Sequence, residues 1–343
     1  MKCAVIGSGS WGSALASVLA RQGHQVHMWA RRSEIAREIQ LQHTNASYLP
    51  DVALPSSIQA SCNLDEVVCD AQLVLVVTPS QVMRSISQQL AACITPSMHV
   101  VLCFKGIDYE TGKTPDEVFS EALVHHSRLA VLSGPNHAEE IVRDIPCATV
   151  VASYDAACAQ FVQHALSSPR FRVYTSRDVK GVEVCGAYKN IIAIAVGISY
   201  GVSCGDNTAA LLITRGLAEM SRFVYYANGD PRTCTGLAGT GDLIATCMSQ
   251  HSRNRRFGEA LAAGMSLEEF CAKTHMVVEG ALACKNVKLL CERYQLDLPI
   301  AQKVQELVWE GAKPLDVAAE LLQRPLKEEF LSLIHISEPT RPY

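Results

Sequence analysis

Lys189 and Asn190 interrupt an otherwise apolar run, "CGAYKNIIAIAVGI", that begins at Cys185. A lysine among apolar neighbours is unfavourable unless it has a partner or a task, and desolvation lowers its pKa toward the range useful for moving protons. The competing structural reading is a lysine whose stem snorkels to the surface. Further along, "GLAGTGDLIATC" delivers Asp242 from a glycine-rich loop, and "SRNRRFG" gathers Ser252, Arg253 and Asn254 in one tight stretch. A hydroxyl, a fork of cationic donors and an amide suit a phosphate group, and an exposed basic turn is the alternative. Lys105 in "CFKGID" and Gly134, Asn136 and Ala138 in "SGPNHAEE" each follow a β-rich apolar run. In open α/β sheets that edge is where ligands bind. "VTPSQ" ends another such run at residues 77–81 and could cover a ligand or form a plain turn.

A second constellation lies at the amino terminus, where "CAVI" is followed by "GSGSWG". Gly7, Gly9 and Gly12 spell G-x-G-x-x-G between a strand and a helix, the context that a dinucleotide fingerprint requires. The first glycine makes the tight turn, the second lets backbone amides reach a pyrophosphate, and the third brings helix and strand together. Where an NAD-specific site would carry an acidic residue for the ribose 2′-hydroxyl, this chain has Arg31 and Arg32. Two guanidinium groups suit a 2′-phosphate, which predicts NADPH in preference to NADH, against the alternative of a solvated charged turn.

These residues need elements to hold them. "KCAVIG", "QVHMWA", "QLVLVVT", "HVVLCF", "LAVLSG" and "CATVVAS" read as strands, near-continuous in Val, Ile and Leu as expected of parallel strands covered on both faces. Helical patterns such as "WGSALASVLARQ" and "TPDEVFSEALVHH" lie between them. After about Ser176 the strand signals stop and the patterns are helical, with Ser266 and Glu269 forming a capping box and Pro299 opening another helix. The expected fold is α/β, a Rossmann-type doubly wound, mostly parallel sheet followed by an all-α C-terminal domain. Residues 1–180 form the dinucleotide-binding domain and 181–329 the substrate-binding domain, joined by a short turn near Arg177 to Gly181. The tail 330–343 fits neither pattern and reads as non-native or disordered.

Bulk properties narrow the partners. With 30 basic and 34 acidic residues the formal charge is −4 and no long basic block exists to neutralise a phosphate backbone, so nucleic acid is not expected. No apolar run is read as a membrane span and no secretory leader is recognised, which places the chain in the cytoplasm. None of the 14 cysteines falls in a C-x-x-C pair, so they read as free thiols acting as small core hydrophobes in a reducing compartment, and no metal site is expected.

Taken in order and spacing, "GSGSWG", "CFKGI", "SGP", "GAYKNIIAIAVG", "GDNTAALLITRGLAEM", "GLAGTGDL", "SRNRRFG" and "VVEG" resemble the bacterial NAD(P)-dependent glycerol-3-phosphate dehydrogenases, from Met1 to about Glu329. The resemblance implies NAD(P)H-dependent, reversible reduction of dihydroxyacetone phosphate to sn-glycerol 3-phosphate for glycerophospholipid synthesis, by a homodimer without a metal. It makes Lys189 the general acid in reduction and base in oxidation, Asp242 its orienting partner, and Lys105 a contact to both substrate and cofactor. Gly134, Asn136, Ser252, Arg253 and Asn254 match substrate positions. Ser10, Trp11, Arg31, Arg32, Lys105, Ala138, Arg253, Val277 and Glu279 match cofactor positions. Asn136 departs from the commonest pattern, where Ser or Thr is frequent. Two competing readings remain: a β-hydroxyacid dehydrogenase acting on a carboxylate, and a non-catalytic NADPH-binding sensor.

Overall fold

The computed structural model describes residues 1–124, 126–274, 277–285 and 287–323, so the tail 330–343 and the end of the helical region expected to reach 329 lie outside the described residues. The strands among them are β1 (Lys2–Ile6), β2 (Gln25–Trp29), β3 (Thr44–Asn45), β4 (Leu49–Ala53), β5 (Ile58–Ser61), β6 (Leu73–Val76), β7 (His99–Leu102), β8 (Leu129–Ser133), β9 (Cys147–Ala152) and β10 (Phe171–Ser176). Eight of them form one sheet in the order β10-β9-β8-β7-β6-β1-β2-β5, and β3 pairs with β4 in a separate antiparallel hairpin.

Every pairing in the large sheet is parallel except that of β8 with β9. This corrects the expectation that "CATVVAS" joins as a parallel strand. A strand covered on both faces reads as one apolar run whichever way it points, so its direction is set by the connection. β8 and β9 are joined by a segment with only the short Ala138–Ile141 helix, too little for a parallel crossover. The chain leaves β1 toward β2 and β5 on one side, then returns to place β6, β7 and β8 on the other. Strand order therefore reverses between β1 and β6, and the crevice outside their carboxyl ends is the ligand-binding position of such sheets.

Strand signals end at Ser176, and after Arg177 and Asp178 the chain enters the 23-residue helix Val179–Gly201. The Asp178 side chain caps this helix by accepting from the Gly181 amide at 2.9 Å. Residues of this helix belong to the same apolar cluster as β1, β6 and β7, so the helix stands against the sheet and the later helices pack around it. Its length and apolar character would suffice to cross a membrane, although no apolar run was read as a span, but its apolar stretch is buried inside the protein. A helix covered on every side has no reason to carry a polar stripe.

Two glycines let a neighbour reach it. A Cβ on Gly258 would stand 2.2 Å from the Ile194 carbonyl oxygen, and one on Gly197 would stand 2.0 Å from that of Arg255. Backbone-to-backbone contact of this kind fixes the Arg253–Ala262 helix, and with it the "SRN" stretch, against the helix carrying Lys189. The expected capping box is present, with Ser266 N donating to Glu269 at 2.8 Å and Glu269 N to Ser266 at 3.2 Å. Pro299 occupies the first turn of the Pro299–Trp309 helix. All 14 cysteines are unpaired, and half, such as Cys185, Cys247 and Cys284, are buried.

Candidate active site

Lys189 sits midway along the central helix, and its side chain is only 5% exposed. It does not snorkel: its ammonium donates to Asp242 Oδ1 at 2.6 Å and to Thr246 Oγ1 at 2.7 Å. Asp242 opens the Asp242–Met248 helix, directly after a wide turn over Leu237–Gly241 that the glycines permit. Thr246 lies one helical turn later and donates its own proton to the Asp242 carbonyl oxygen at 2.6 Å. The other carboxylate oxygen, Asp242 Oδ2, accepts from Lys105 Nζ at 2.8 Å, and Lys105 also donates to the Gly134 carbonyl at 3.0 Å. One buried carboxylate thus holds two ammonium groups, one from the sheet edge after β7 and one from the central helix.

The electrostatics follow from that arrangement. Burial pulls the Lys189 ammonium down to about 7, with Asp242 resisting the fall and the Lys105 charge adding to it. Burial works against the Asp242 carboxylate as well, but Lys105 and Lys189 outweigh it and hold this carboxyl below its ordinary range. Asp242 therefore stays charged at neutral pH while Lys189 exchanges its proton there.

A chain of amides ties the helical region to this centre. Asn190 Nδ2 donates to the Lys105 carbonyl at 3.0 Å, Asn254 Nδ2 to Asn190 Oδ1 at 2.9 Å, and the Gly280 amide to Asn254 Oδ1 at 2.9 Å. Both ends of the Asn254 side chain are thereby engaged within the protein. Ser252 caps the Arg253–Ala262 helix by accepting from Arg255 N at 3.2 Å, and Arg253 itself is exposed. Glu279 receives both the backbone amide of Ser80, at 3.2 Å, and the Ser80 hydroxyl, joining the "VTPSQ" loop to the helical region. Burial raises the Glu279 carboxyl above its usual value, against those two donors and the charge of Arg253. Gly134, Asn136 and Ala138 follow β8 at its carboxyl end, where Gly134 meets Lys105 through its carbonyl, and Val277 precedes the helix that Glu279 begins.

The glycine fingerprint has a shape that fits a dinucleotide. Gly7 has φ +123°, and a Cβ there would lie 2.7 Å from the Val77 carbonyl oxygen. A Cβ on Gly12 would lie 2.0 Å from the Gly7 carbonyl oxygen, so the helix can approach the turn after β1 only with glycine at Gly12. At Gly9 the space is open, and the Ser10–Arg21 helix has no side-chain cap over its first amides. Those amides, at the positive end of a helix, can receive a pyrophosphate. Nearby, the Trp11 indole nitrogen and the Thr78 hydroxyl are buried without a protein partner. Arg31 and Arg32 are exposed just beyond β2, with Arg32 donating to the Tyr48 hydroxyl at 3.2 Å and lying over that ring.

Two members of this arrangement escaped sequence reading, and a third, Ser80, enters it only within the "VTPSQ" loop and is not singled out. Thr246 carries a signal that could have found it, since it is four residues from Asp242 on the same helical face. Asn45, which donates to the Ser8 carbonyl at 2.8 Å and steadies the fingerprint loop, has none, being an ordinary polar residue in a short strand, and for Ser80 the only signal was its place in the loop after an apolar run.

Comparison with known proteins gives a consistent answer. Residues 2–159 match the family described as NAD-dependent glycerol-3-phosphate dehydrogenase N-terminus, and residues 178–319 match its C-terminus. The glycerol-3-phosphate dehydrogenase [NAD(P)+] of Chlorobium phaeobacteroides is 42% identical over 96% of this chain and 99% of its own. That of Streptomyces griseus is 44% identical over 96% of this chain and 98% of its own. The crystal structure of a glycerol-3-phosphate dehydrogenase from Coxiella burnetii superposes with a TM-score of 0.90 at 37% identity, covering 94% of this chain and 98% of that one.

Proposed function

The chain belongs to the NAD-dependent glycerol-3-phosphate dehydrogenase family, and we propose that it interconverts dihydroxyacetone phosphate and sn-glycerol 3-phosphate, using NADPH in preference to NADH. The observation that carries this reading is the buried Lys189, bonded at 2.6 Å to an Asp242 carboxylate that two ammonium groups hold below its ordinary range, and itself brought down to about 7. A carbonyl that gains a hydride needs a proton at its oxygen, and a donor poised near the working pH is suited to supply it. The bound dinucleotide supplies that hydride in reduction and accepts it in oxidation.

The chain's own residues do the rest. Lys189 gives its proton to the substrate's C2 oxygen as negative charge develops there, and takes it back in the reverse direction. Asp242 and Thr246 aim the ammonium, and Lys105 adds positive charge beside the same oxygen. Gly134, Asn136, Ser252, Arg253 and Asn254 surround the phosphorylated substrate, with Arg253 left to pair with its phosphate. Gly7, Gly9, Ser10, Trp11 and Gly12 hold the pyrophosphate, Arg31 and Arg32 the 2′-phosphate, and Lys105, Ala138, Arg253, Val277 and Glu279 the remaining cofactor face. In this reading residues 1–180 bind the dinucleotide, 181–329 complete the substrate site, the enzyme is a cytoplasmic homodimer, and its product feeds glycerophospholipid synthesis.

The test is the absorbance of the reduced nicotinamide, followed with purified protein and dihydroxyacetone phosphate, with NADPH, with NADH and without substrate. Consumption that requires the phosphorylated ketone and runs faster with NADPH is expected. Consumption with a short 3-oxo acid but not with dihydroxyacetone phosphate would point to a hydroxyacid dehydrogenase instead, and cofactor binding without any turnover would point to a sensor.

A further inference from the structure

Glu183 stands near the start of the central helix, only 5% exposed, and its Oε2 atom is buried where no donor reaches it. A carboxylate left so is rare, because an unpaired buried charge is strongly unfavourable. Its other oxygen, Oε1, accepts from the Asp116 backbone amide at 2.8 Å, in the first turn of the Pro115–Ala122 helix. The Glu183 side chain also meets a second acid there, since its carboxyl group is hydrogen-bonded to that of Asp116. Two carboxyl groups can share a hydrogen bond only when one of them carries a proton. The donors around them decide which one it is. Asp116 Oδ1 accepts from Lys180 Nζ at 2.7 Å and from the Thr114 hydroxyl, and Asp116 Oδ2 accepts from the Tyr154 hydroxyl at 3.2 Å. Glu183 has only the Asp116 amide, so Asp116 is the anion and Glu183 the acid. Burial and the Asp116 charge push the Glu183 carboxyl well above its usual range. At Asp116 burial is outweighed by the hydrogen bonds of Glu183, Lys180 and Thr114, which bring it down to about 2. The other charged and titratable neighbours of the pair are Glu117, 3.3 Å from Lys180, Asp178 at the helix start and the Tyr294 phenol.

The place of this pair gives it a task. Lys105 and Asp116 both belong to the connection between β7 and β8, and Glu183 lies within two turns of Lys189 on the central helix. The helix is thus tied to that connection twice, once where Asp242 bridges Lys189 to Lys105 and once where Glu183 meets Asp116. We propose that Glu183 is a positioning residue: protonated, it donates from Oε2 to the Asp116 carboxylate and so seats the helix that carries Lys189 on the connection that carries Lys105. Its effect on turnover rests on the reaction proposed above, whereas the shared proton does not.

Infrared spectroscopy of the purified protein at pH 8 reads that proton. Subtracting the spectrum of E183Q from that of the wild type cancels the other carboxyl groups, including Glu219 and Glu279, which burial also raises. A carbonyl band of a protonated carboxyl group, shifting in D2O, is expected, and a carboxylate band in its place would overturn the proposal. Melting gives a second reading with the same variant. The folded wild type keeps a proton that the unfolded chain gives up near pH 4.3, so the stability it lends is complete below about that pH and is lost as pH rises. E183Q has no such proton, so its Tm relative to the wild type should climb from pH 5 to 8, and a constant difference would overturn the assignment. For turnover, E183A removes both bonds and should lower kcat by about tenfold. E183Q, whose amide donates to Asp116 and whose oxygen accepts from the Asp116 N–H, should restore kcat to within about twofold of the wild type. An E183A variant as fast as the wild type, or an E183Q variant as slow as E183A, would overturn the positioning role. If the band and the Tm trend are found but the wild type does not reduce dihydroxyacetone phosphate, the proposed reaction falls and the proton-sharing pair stands.

Discussion

Replacing Asp242 with Asn tests the electrostatic core of the site, because it removes a charge while keeping the shape. In the native protein Lys189 loses its proton at about 7, so about half of it is ammonium at pH 7. Its nitrogen lies 2.6 Å from Asp242 Oδ1. At an effective dielectric near 20, unit charges 4 Å apart interact by about 4 kcal/mol, equivalent to about three pH units. The Lys105 ammonium, which shares Asp242, pushes Lys189 the same way. Allowing only about two of those units, the ammonium fraction at pH 7 falls from about one half to about one in a hundred, and reduction slows about 50-fold. The pH profile of kcat/KM carries the sharper signature, since it reports the free enzyme. Native reduction should be flat below about pH 7 and fall tenfold per unit above it, with oxidation the mirror image. In the variant the reductive break moves acid by two units or more, and oxidation loses its pH dependence between pH 6 and 8. The assay is nicotinamide absorbance from pH 5 to 9 at constant ionic strength. A variant within about fivefold of native at pH 7, with its break unmoved, would refute the assignment of Lys189 as the acid held by Asp242.

Three further outcomes are expected. Lys189→Met should abolish most turnover yet raise stability, because burial makes the ammonium costlier in the folded protein than in the unfolded chain, which puts the folded pKa below the unfolded one. That penalty is complete below about pH 7 and disappears as pH approaches about 10.4, so the gain in Tm should be largest at pH 6 and shrink toward pH 10; a gain independent of pH would overturn it. Arg32→Ser should raise KM for NADPH by about tenfold and leave NADH nearly unchanged, whereas equal effects on both would show that Arg32 does not read a 2′-phosphate. Gly258→Ala places a methyl 2.2 Å from the Ile194 carbonyl oxygen and should lower unfolding free energy by more than about 2 kcal/mol, checked by urea melts.

How much of this was legible beforehand depended on whether a residue's type was odd for its place. Lys189 stands out because a charge inside an apolar helix is conspicuous, and Gly7 and Gly12 because glycine weakens an element unless something presses on it. The antiparallel turn into β9 was not legible, since its "CATVVA" run is apolar in either direction. β5 and β10 also escaped: they are the two edges of the sheet, with half-exposed sequences, "IQAS" and "FRVYTS", that lack a continuous apolar run. Within the site, the lysines and the aspartate could be named, but the amide chain through Asn190 and Asn254 could not. Its members are separated by up to 85 positions and are distinguished only by whom they meet in space. The contact between Ser80 and Glu279 spans 199 positions and has the same cause.

The helix that misleads a membrane test is also the one that makes the chemistry possible. Val179–Gly201 is apolar along its length because the sheet lies on one side and other helices on the rest. That enclosure removes water from Lys189, and water is what keeps a lysine protonated up to its ordinary pKa. An exposed lysine would be an ammonium throughout the neutral range, able to bind an anion but ill-matched to giving up its proton at pH 7. Enclosure alone would go too far, since a fully buried lysine without a partner would lose its charge well below neutrality. Asp242 supplies the counterweight, and Lys105 keeps Asp242 charged while trimming its effect on Lys189. The acid-base group of this site is thus set by burial and the Lys105 charge, which draw its proton affinity down, against the Asp242 carboxylate, which holds it up. Each is assigned to a different part of the fold: the enclosure to the helix packing, the carboxylate to the glycine-rich turn, and the second lysine to the sheet edge.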